Sequence, residues 1–246
     1  MAADKRKGRP MRRWLWGDGH CHSDYSDGFH SMAEMTAFYE LYEMDFRFQT
    51  DHMFLEMPDK RYACHTKASS GLILTPDSIE EYENCCAKAS TKRHVVLPGV
   101  ELGLLFRSGN WPLHQMLDHH LLIRPVKKGA PPPPESILGT WWPDFHAACA
   151  RHIDAERLTI AHVECAATPW QFLPTCATLS SIELVSNLEA VEPVLKRKWL
   201  LWWDYMLSRG RRIVLTAGSD AHQADLWCAS SMRNAVWIDG EPDGNS

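Results

Sequence analysis

Seven short segments rich in aliphatic, aromatic and β-branched residues punctuate this 246-residue chain, at 14–18, 46–50, 94–101, 120–123, 158–162, 181–185 and 212–217. Most of the stretches between them carry helical periodicity, so strands and helices alternate along the sequence. Ser31-Met-Ala-Glu34 has capping-box spacing and opens one helix, with Ala33, Ala37, Phe38 and Leu41 on one face. Thr75-Pro76-Asp77 places a cap, a helix-initiating proline and a first-turn acid ahead of a second helix running to Ala89. Residues 143–153 and 192–208 read as two more, the latter closed by Gly210. Strands fed by helices pair in parallel, which leaves a closed α/β barrel or a doubly wound sheet. The length suits one such core, so residues 14–246 are expected to form a single domain behind a basic flexible arm at 1–13.

Composition narrows the function. With 45% hydrophobic and 23% charged residues the chain is an ordinary globular one, and its net charge of -5 offers no general attraction to nucleic acid. Residues 165–182 form the longest stretch without a formal charge, but Pro169, Pro174 and Gln171 interrupt it, so no membrane span is expected. No apolar segment follows the basic arm as a secretory signal would. The eight cysteines form no C-x-x-C pair and fit a reducing, cytoplasmic setting. The unusual count is thirteen histidines.

Their placement suggests the chemistry. His20 and His22 stand two apart in an extended segment, where alternate residues share a face and can present two imidazoles to one cation. Ser26-Asp27-Gly28 follows closely. Thr50-Asp51-His52 follows the second strand segment, Glu101 closes the third, and His119-His120 opens the fourth. His162 closes the fifth, and Gly218-Ser219-Asp220-Ala221-His222 follows the last. Carboxylates and histidines at strand ends converge on one rim of a parallel α/β barrel. A buried carboxylate among histidines is better explained by cations than by packing.

Taken in order, these motifs (H-x-H with S-D-G, T-D-H, P-G-x-E, a strand-borne His, A-H and G-S-D-A-H) resemble those of the polymerase and histidinol phosphatase (PHP) superfamily. The resemblance spans residues 17 to about 238. It implies a distorted seven-stranded (β/α)7 barrel of TIM-like form, with two or three divalent metal ions at the C-terminal rim of its strands. Carried over by position, it makes His20, His22, Glu101 and Asp220 ligands of one metal. Glu101 would bridge to a second held by His120 and His162, and Asp27, His52 and His222 would take a third. Glu101, His222 and Asp27 are the catalytic members of this set, Asp51 is an orienting partner, and His119 could replace its neighbour. Within the superfamily, the Gly-Asp-x-His-x-His-Ser opening and Ile182-Glu-Leu-Val-Ser-Asn187 are similar to the carbaryl hydrolase-like branch, which places Glu183 and Asn187 in the substrate pocket.

The ligand types suit Zn, Mn or Fe. The expected function is a multinuclear metal-dependent hydrolase that attacks a small-molecule phosphate ester with a metal-bridging hydroxide. The alternative is carbamate or amide cleavage, as in the carbaryl hydrolase-like branch, and a third reading is a catalytically silent, metal-stabilised scaffold. The amidohydrolase superfamily also opens with H-x-H, but Glu101 and the Thr-Asp-His group argue against it. Arg47, His65, Arg107 and Arg124 are candidate phosphate cations, each with a surface or packing role as the competing reading. Cys21, between two ligands, should point away from them by strand alternation.

Overall fold

The computed structural model describes residues 12–53, 78–106, 117–125, 158–161, 181–185, 193–224 and 233–239. In chain order the elements are β1 (Arg12–Cys21), α1 (Met32–Leu41), β2 (Phe46–Gln49), β3 (His52–Met53), α2 (Ile79–Ala89), β4 (Val95–Pro98), β5 (Val100–Phe106), β6 (Leu117–Ile123), β7 (Leu158–Ile160), β8 (Ser181–Val185), α3 (Pro193–Ser208), β9 (Val214–Ala217) and β10 (Asn234–Asp239). They make a mixed α/β structure with two sheets, ordered β10-β1-β2-β4 and β3-β5-β6-β7-β8-β9.

Pairing departs from the all-parallel expectation. β1-β2-β4, β3-β5 and β7-β8-β9 are parallel, but β6 runs antiparallel to both its neighbours, and β10 antiparallel to β1. The connection from β5 to β6, residues 107–116, is shorter than a parallel crossover needs. The segment expected as one strand at 94–101 is divided at Gly99 into β4 and β5, which belong to different sheets. A Cβ at Gly99 would stand 2.9 Å from Thr50 Cγ2 and 3.2 Å from the Ile123 carbonyl, so only glycine passes this junction without a shift. Hydrogen bonds from Gly99 N to Gln49 O (2.8 Å) and from Glu101 N to Asp51 O (3.1 Å) carry the ladder across it. A second link joins β1 to the segment after β9 through the Cys21–Ala221 bridge and the bond from Asp220 N to His20 O, 2.9 Å.

The helix-end signals of α1 and α3 hold, but the apolar face expected for α1 does not: Ala33, Ala37 and Leu41 are exposed, and Met32, Met35, Thr36 and Tyr39 face the core instead. Ser31 caps α1 in a full capping box with Glu34. α3 ends in a Schellman motif: Gly210 takes φ 76°, its N–H donates to Leu207 O (2.9 Å), and Arg211 N donates to Met206 O (3.0 Å). Trp199, Trp202 and Met206, at i, i+3 and i+7, bury one stripe of α3 in the main core with Leu158, Ile160 and Ile182. The expected helix at 143–153 and the Thr75-Pro76-Asp77 start expected for α2 lie outside the described residues, as do residues 1–11 of the arm. Arg12 and Arg13 already belong to β1 and pair with Asp239 and Ile238.

Arg47 is a packing residue, not a phosphate cation. It is fully buried behind α1 and donates to Met32 O (2.8 Å), Thr36 Oγ1 (2.8 Å) and Gln49 Oε1 (3.0 Å). His94 is buried with it, its Nδ1 2.7 Å from Met44 O and its Nε2 3.1 Å from Arg47 Nη1. Nδ1 therefore carries the proton, and Nε2 accepts from the guanidinium. Burial, and secondly the charge of Arg47, push the His94 pKa down to about 3. The unfolded chain binds this proton below about 6.5 and the folded chain does not. This contribution to stability is therefore complete above pH 6.5 and is lost as pH falls toward 3. Between pH 6 and 4, wild type should lose about 1 kcal/mol per pH unit more than His94→Gln in urea unfolding; parallel pH profiles would refute the assignment.

Candidate metal centre

Five pieces of chain bring the candidate ligands together. β1 delivers His20 and His22, the turn after it Asp27, β3 His52, β5 Glu101, and the segment after β9 Asp220 and His222. The β3–β5 register sets His52 directly beside Glu101. Two groups of donor atoms result, one from His20, His22, Glu101 and Asp220 and the other from His22, Asp27, His52 and His222, so His22 belongs to both.

The first group is tight. His20 Nε2 lies 3.0 Å from Glu101 Oε2, 3.1 Å from His22 Nε2 and 3.3 Å from Asp220 Oδ1. His22 Nε2 lies 3.0 Å from the same Glu101 oxygen and 3.1 Å from Asp220 Oδ1. Donors around an ion at bonds of about 2.0–2.2 Å stand about 3.3–3.6 Å apart in a tetrahedron, close to these spacings. The second group is wider and less buried: Asp27 Oδ2 is 3.2 Å from His222 Nε2, and Asp27 Oδ1 is 3.8 Å from His52 Nε2. The His22 and His222 rings stack at 4.2 Å between centroids.

The far nitrogens of three of these rings are each held by an acceptor. His20 Nδ1 is 3.0 Å from Glu183 Oε2, His22 Nδ1 is 3.3 Å from Ser26 Oγ, and His222 Nδ1 is 2.9 Å from the Asp220 carbonyl. A proton on Nδ1 leaves each Nε2 lone pair aimed into the cluster, the arrangement of metal-ligating histidines. The carboxylates act on these imidazoles against the cost of burying them. Burial alone would strip His22 of its extra proton, but its bonds to Asp220 and Glu101 push its pKa up to about 10. His20 is likewise raised against its burial by Glu101, Glu183 and Asp220. Asp220 is held well below the carboxylate range, His20 overcoming its burial.

Surrounding residues fix this geometry. Asp51 does not face the donors. Its carboxylate accepts from Ser23 N (2.6 Å), Ser26 Oγ (2.9 Å), Ser23 Oγ (2.9 Å), Tyr82 OH (2.8 Å) and Gln49 Nε2 (3.0 Å), and so orients the Ser26 that meets His22. Asp220 has φ 53°, a left-handed conformation uncommon outside glycine, asparagine and aspartate. Asp18, which the sequence reading did not single out as a site residue, anchors the segment that carries it. This carboxylate is fully buried and accepts from Ser219 N (2.9 Å), Ser219 Oγ and Tyr39 OH (2.6 Å). Its signal was the acid two positions before His20, on the same strand face. Cys21 points away from the donors, its thiol 3.4 Å from Phe48 O.

Gly218 supplies the room. A Cβ there would lie 2.1 Å from Glu183 Oε1 and 2.4 Å from His20 Cβ. Gly218→Ala is therefore expected to displace one of them, lowering stability by about 1–3 kcal/mol and weakening metal binding. An unchanged melting temperature and unchanged metal content would contradict this packing.

The other expected site residues divide by position. Glu183 lies at the centre, against His20. The backbone of β6 pairs His120 with Gly103 and His119 with Leu104, but the side chains of His119 and His120 lie outside the described residues, as do His65, Arg107, His162 and Asn187.

No family model matches the chain, and no curated protein matches it. Solved structures similar to it include an inferred metal-dependent phosphoesterase from Bifidobacterium adolescentis, at 12% identity and TM-score 0.47, covering 84% of this chain and 87% of that one. A two-domain protein from Bacteroides vulgatus, containing a predicted PHP-like metal-dependent phosphoesterase, aligns at 15% identity and TM-score 0.45 over 89% of this chain and 57% of its own. An amidohydrolase from Chromobacterium violaceum, with bound sulfate and no metal, aligns at 14% identity and TM-score 0.46 over 92% of each chain.

Proposed function

We propose that the chain is a multinuclear metal-dependent hydrolase of small phosphate esters. The observation that carries this reading is the set of three histidines whose outer nitrogens are held while their inner nitrogens converge with three carboxylates. His20, His22, Glu101 and Asp220 would hold one divalent ion, and Asp27, His52 and His222 another, with His120 and His162 joining Glu101 at the further position that the PHP resemblance implies. Bound there, Zn, Mn or Fe would supply Lewis acidity, ionising water near neutral pH and offsetting charge that builds on the ester. Asp27 and His222, 19% and 33% exposed, are the members open to an entering substrate, whereas Glu101 is sealed beneath them. Tight packing of Glu101 and His20 excludes water from that deeper half, which strengthens every charge interaction in it. In this reading the two sheets are parts of one distorted (β/α)7 barrel, and the Gly99 junction and the Cys21–Ala221 bridge support that closure.

Purified protein is expected to carry at least two equivalents of transition metal. In a screen of aryl phosphates beside aryl carbamates and anilides, the phosphates should be cleaved fastest. Less than one metal equivalent after growth in supplemented medium would defeat the proposal. Turnover of the carbamates alone would move it to the carbaryl hydrolase-like alternative.

A further inference from the structure

Beneath the metal centre, toward the starts of the strands, the structure holds a cleft of about 790 Å³, within the range of small-ligand sites. Ser181 and Glu183, two residues apart on β8, share a strand face; Glu183 reaches up to His20 while Ser181 lines the cleft. Phe46 on β2 and Val214 on β9, at the opening residues of their strands, line it as well. The cleft is thus separated from the ligand cluster by the layer that Glu183 and Gly19 form.

Its inner wall holds an unusual cation. Arg124 donates to Gly19 O (2.6 Å), Thr159 Oγ1 (2.8 Å) and Thr216 Oγ1 (3.2 Å), all neutral acceptors. Among the described residues it forms no ion pair. The carboxylates that act on it from a distance, Glu183 and Asp18, are already engaged with His20 and with Tyr39 and Ser219. Burial accordingly draws the Arg124 pKa downward. Arg212 and Arg233 line the same cleft near its mouth, so three positive charges face a space that no described carboxylate lines. Phe48 lies under the Arg124 guanidinium at 5.6 Å, and with Phe46 it supplies an apolar wall.

We infer that this cleft is a second ligand site, for a small organic anion whose oxyanion head meets Arg124 and the Thr159–Thr216 hydroxyl edge and whose apolar body lies on Phe46 and Phe48. A guanidinium offers five donors in a planar fork, and the three bonds to Gly19, Thr159 and Thr216 leave capacity for an oxyanion. Such a head would supply the countercharge that the surrounding dipoles do not. The site does not depend on the hydrolytic reading of the centre above it.

Naphthalene-1-sulfonate tests this directly, because it pairs an oxyanion with an aromatic body and offers no ester to cleave. Isothermal titration of the full-length, metal-loaded protein should show one saturable site in the millimolar range or tighter. Arg124→Gln should weaken it by about tenfold or more, and Arg212→Gln by a few fold. Ala235→Trp, on the exposed rim of the cleft, should block it by filling the space. Circular dichroism melts establish which variants fold. If Arg124→Gln does not, Arg212→Gln and Ala235→Trp decide. Absence of saturable binding up to about 10 mM, or binding that survives the folded variants unchanged, would overturn the inference.

Discussion

His22→Ala should lower kcat/KM for aryl phosphates by about 10³-fold or more and reduce metal content below that of any other single ligand variant. The reason is its double membership. Its Nε2 stands 3.0 Å from Glu101 and 3.1 Å from Asp220, and its ring stacks on His222, so its loss opens both donor groups at once. Lewis-acid stabilisation is worth several kcal/mol of barrier, and about 4 kcal/mol corresponds to three decades of rate. His52→Ala touches only the wider group and should retain more of the metal. Both variants should keep the wild-type circular dichroism spectrum, because the strands on either side are tied by Thr50, Ala221 and the Asp51 network rather than by the imidazoles. Wild-type turnover by folded His22→Ala would remove the cluster from the reaction.

The cluster was legible in sequence because its members sit where strand alternation and strand ends put them. An H-x-H pair needs only local extended geometry to share a face, and a carboxylate ending an apolar run has few roles other than ion binding. What stayed hidden depended on long-range packing. Nothing local distinguishes Arg47, which the fold uses to hold α1, from Arg124, which it places beneath the centre. The sheet break at Gly99 was invisible because β4 and β5 read as one apolar strand, and the glycine is required only by the distant approach of Thr50 and Ile123. The reversed direction of β6 turns on loop length, a weak signal beside the alternation of strands and helices. β10 escaped notice because its apolar run, Ala235-Val-Trp-Ile238, is short and does not alternate; it pairs antiparallel at the β1 edge.

Glu183 was expected only as a pocket residue, and its position against His20 gives it a stronger prediction. A fully buried carboxylate 3.0 Å from His20 Nδ1 fixes that ring's tautomer and raises the basicity of the nitrogen facing the cluster. Glu183→Leu fills similar space without an acceptor, so His20 loses both its orientation and its electrostatic support. Metal affinity, read by competition with a chelator, should fall by about 10–100-fold. Glu183→Gln keeps an acceptor oxygen without the charge and should fall between the two. Because Glu183 acts through His20, kcat at saturating metal should recover to within a few fold of wild type in both variants. That recovery separates a positioning residue from one that touches substrate. A kcat that stays depressed at saturating metal would assign Glu183 to the reaction itself, and a chelator midpoint unchanged in the leucine variant would show that His20 does not bind the ion.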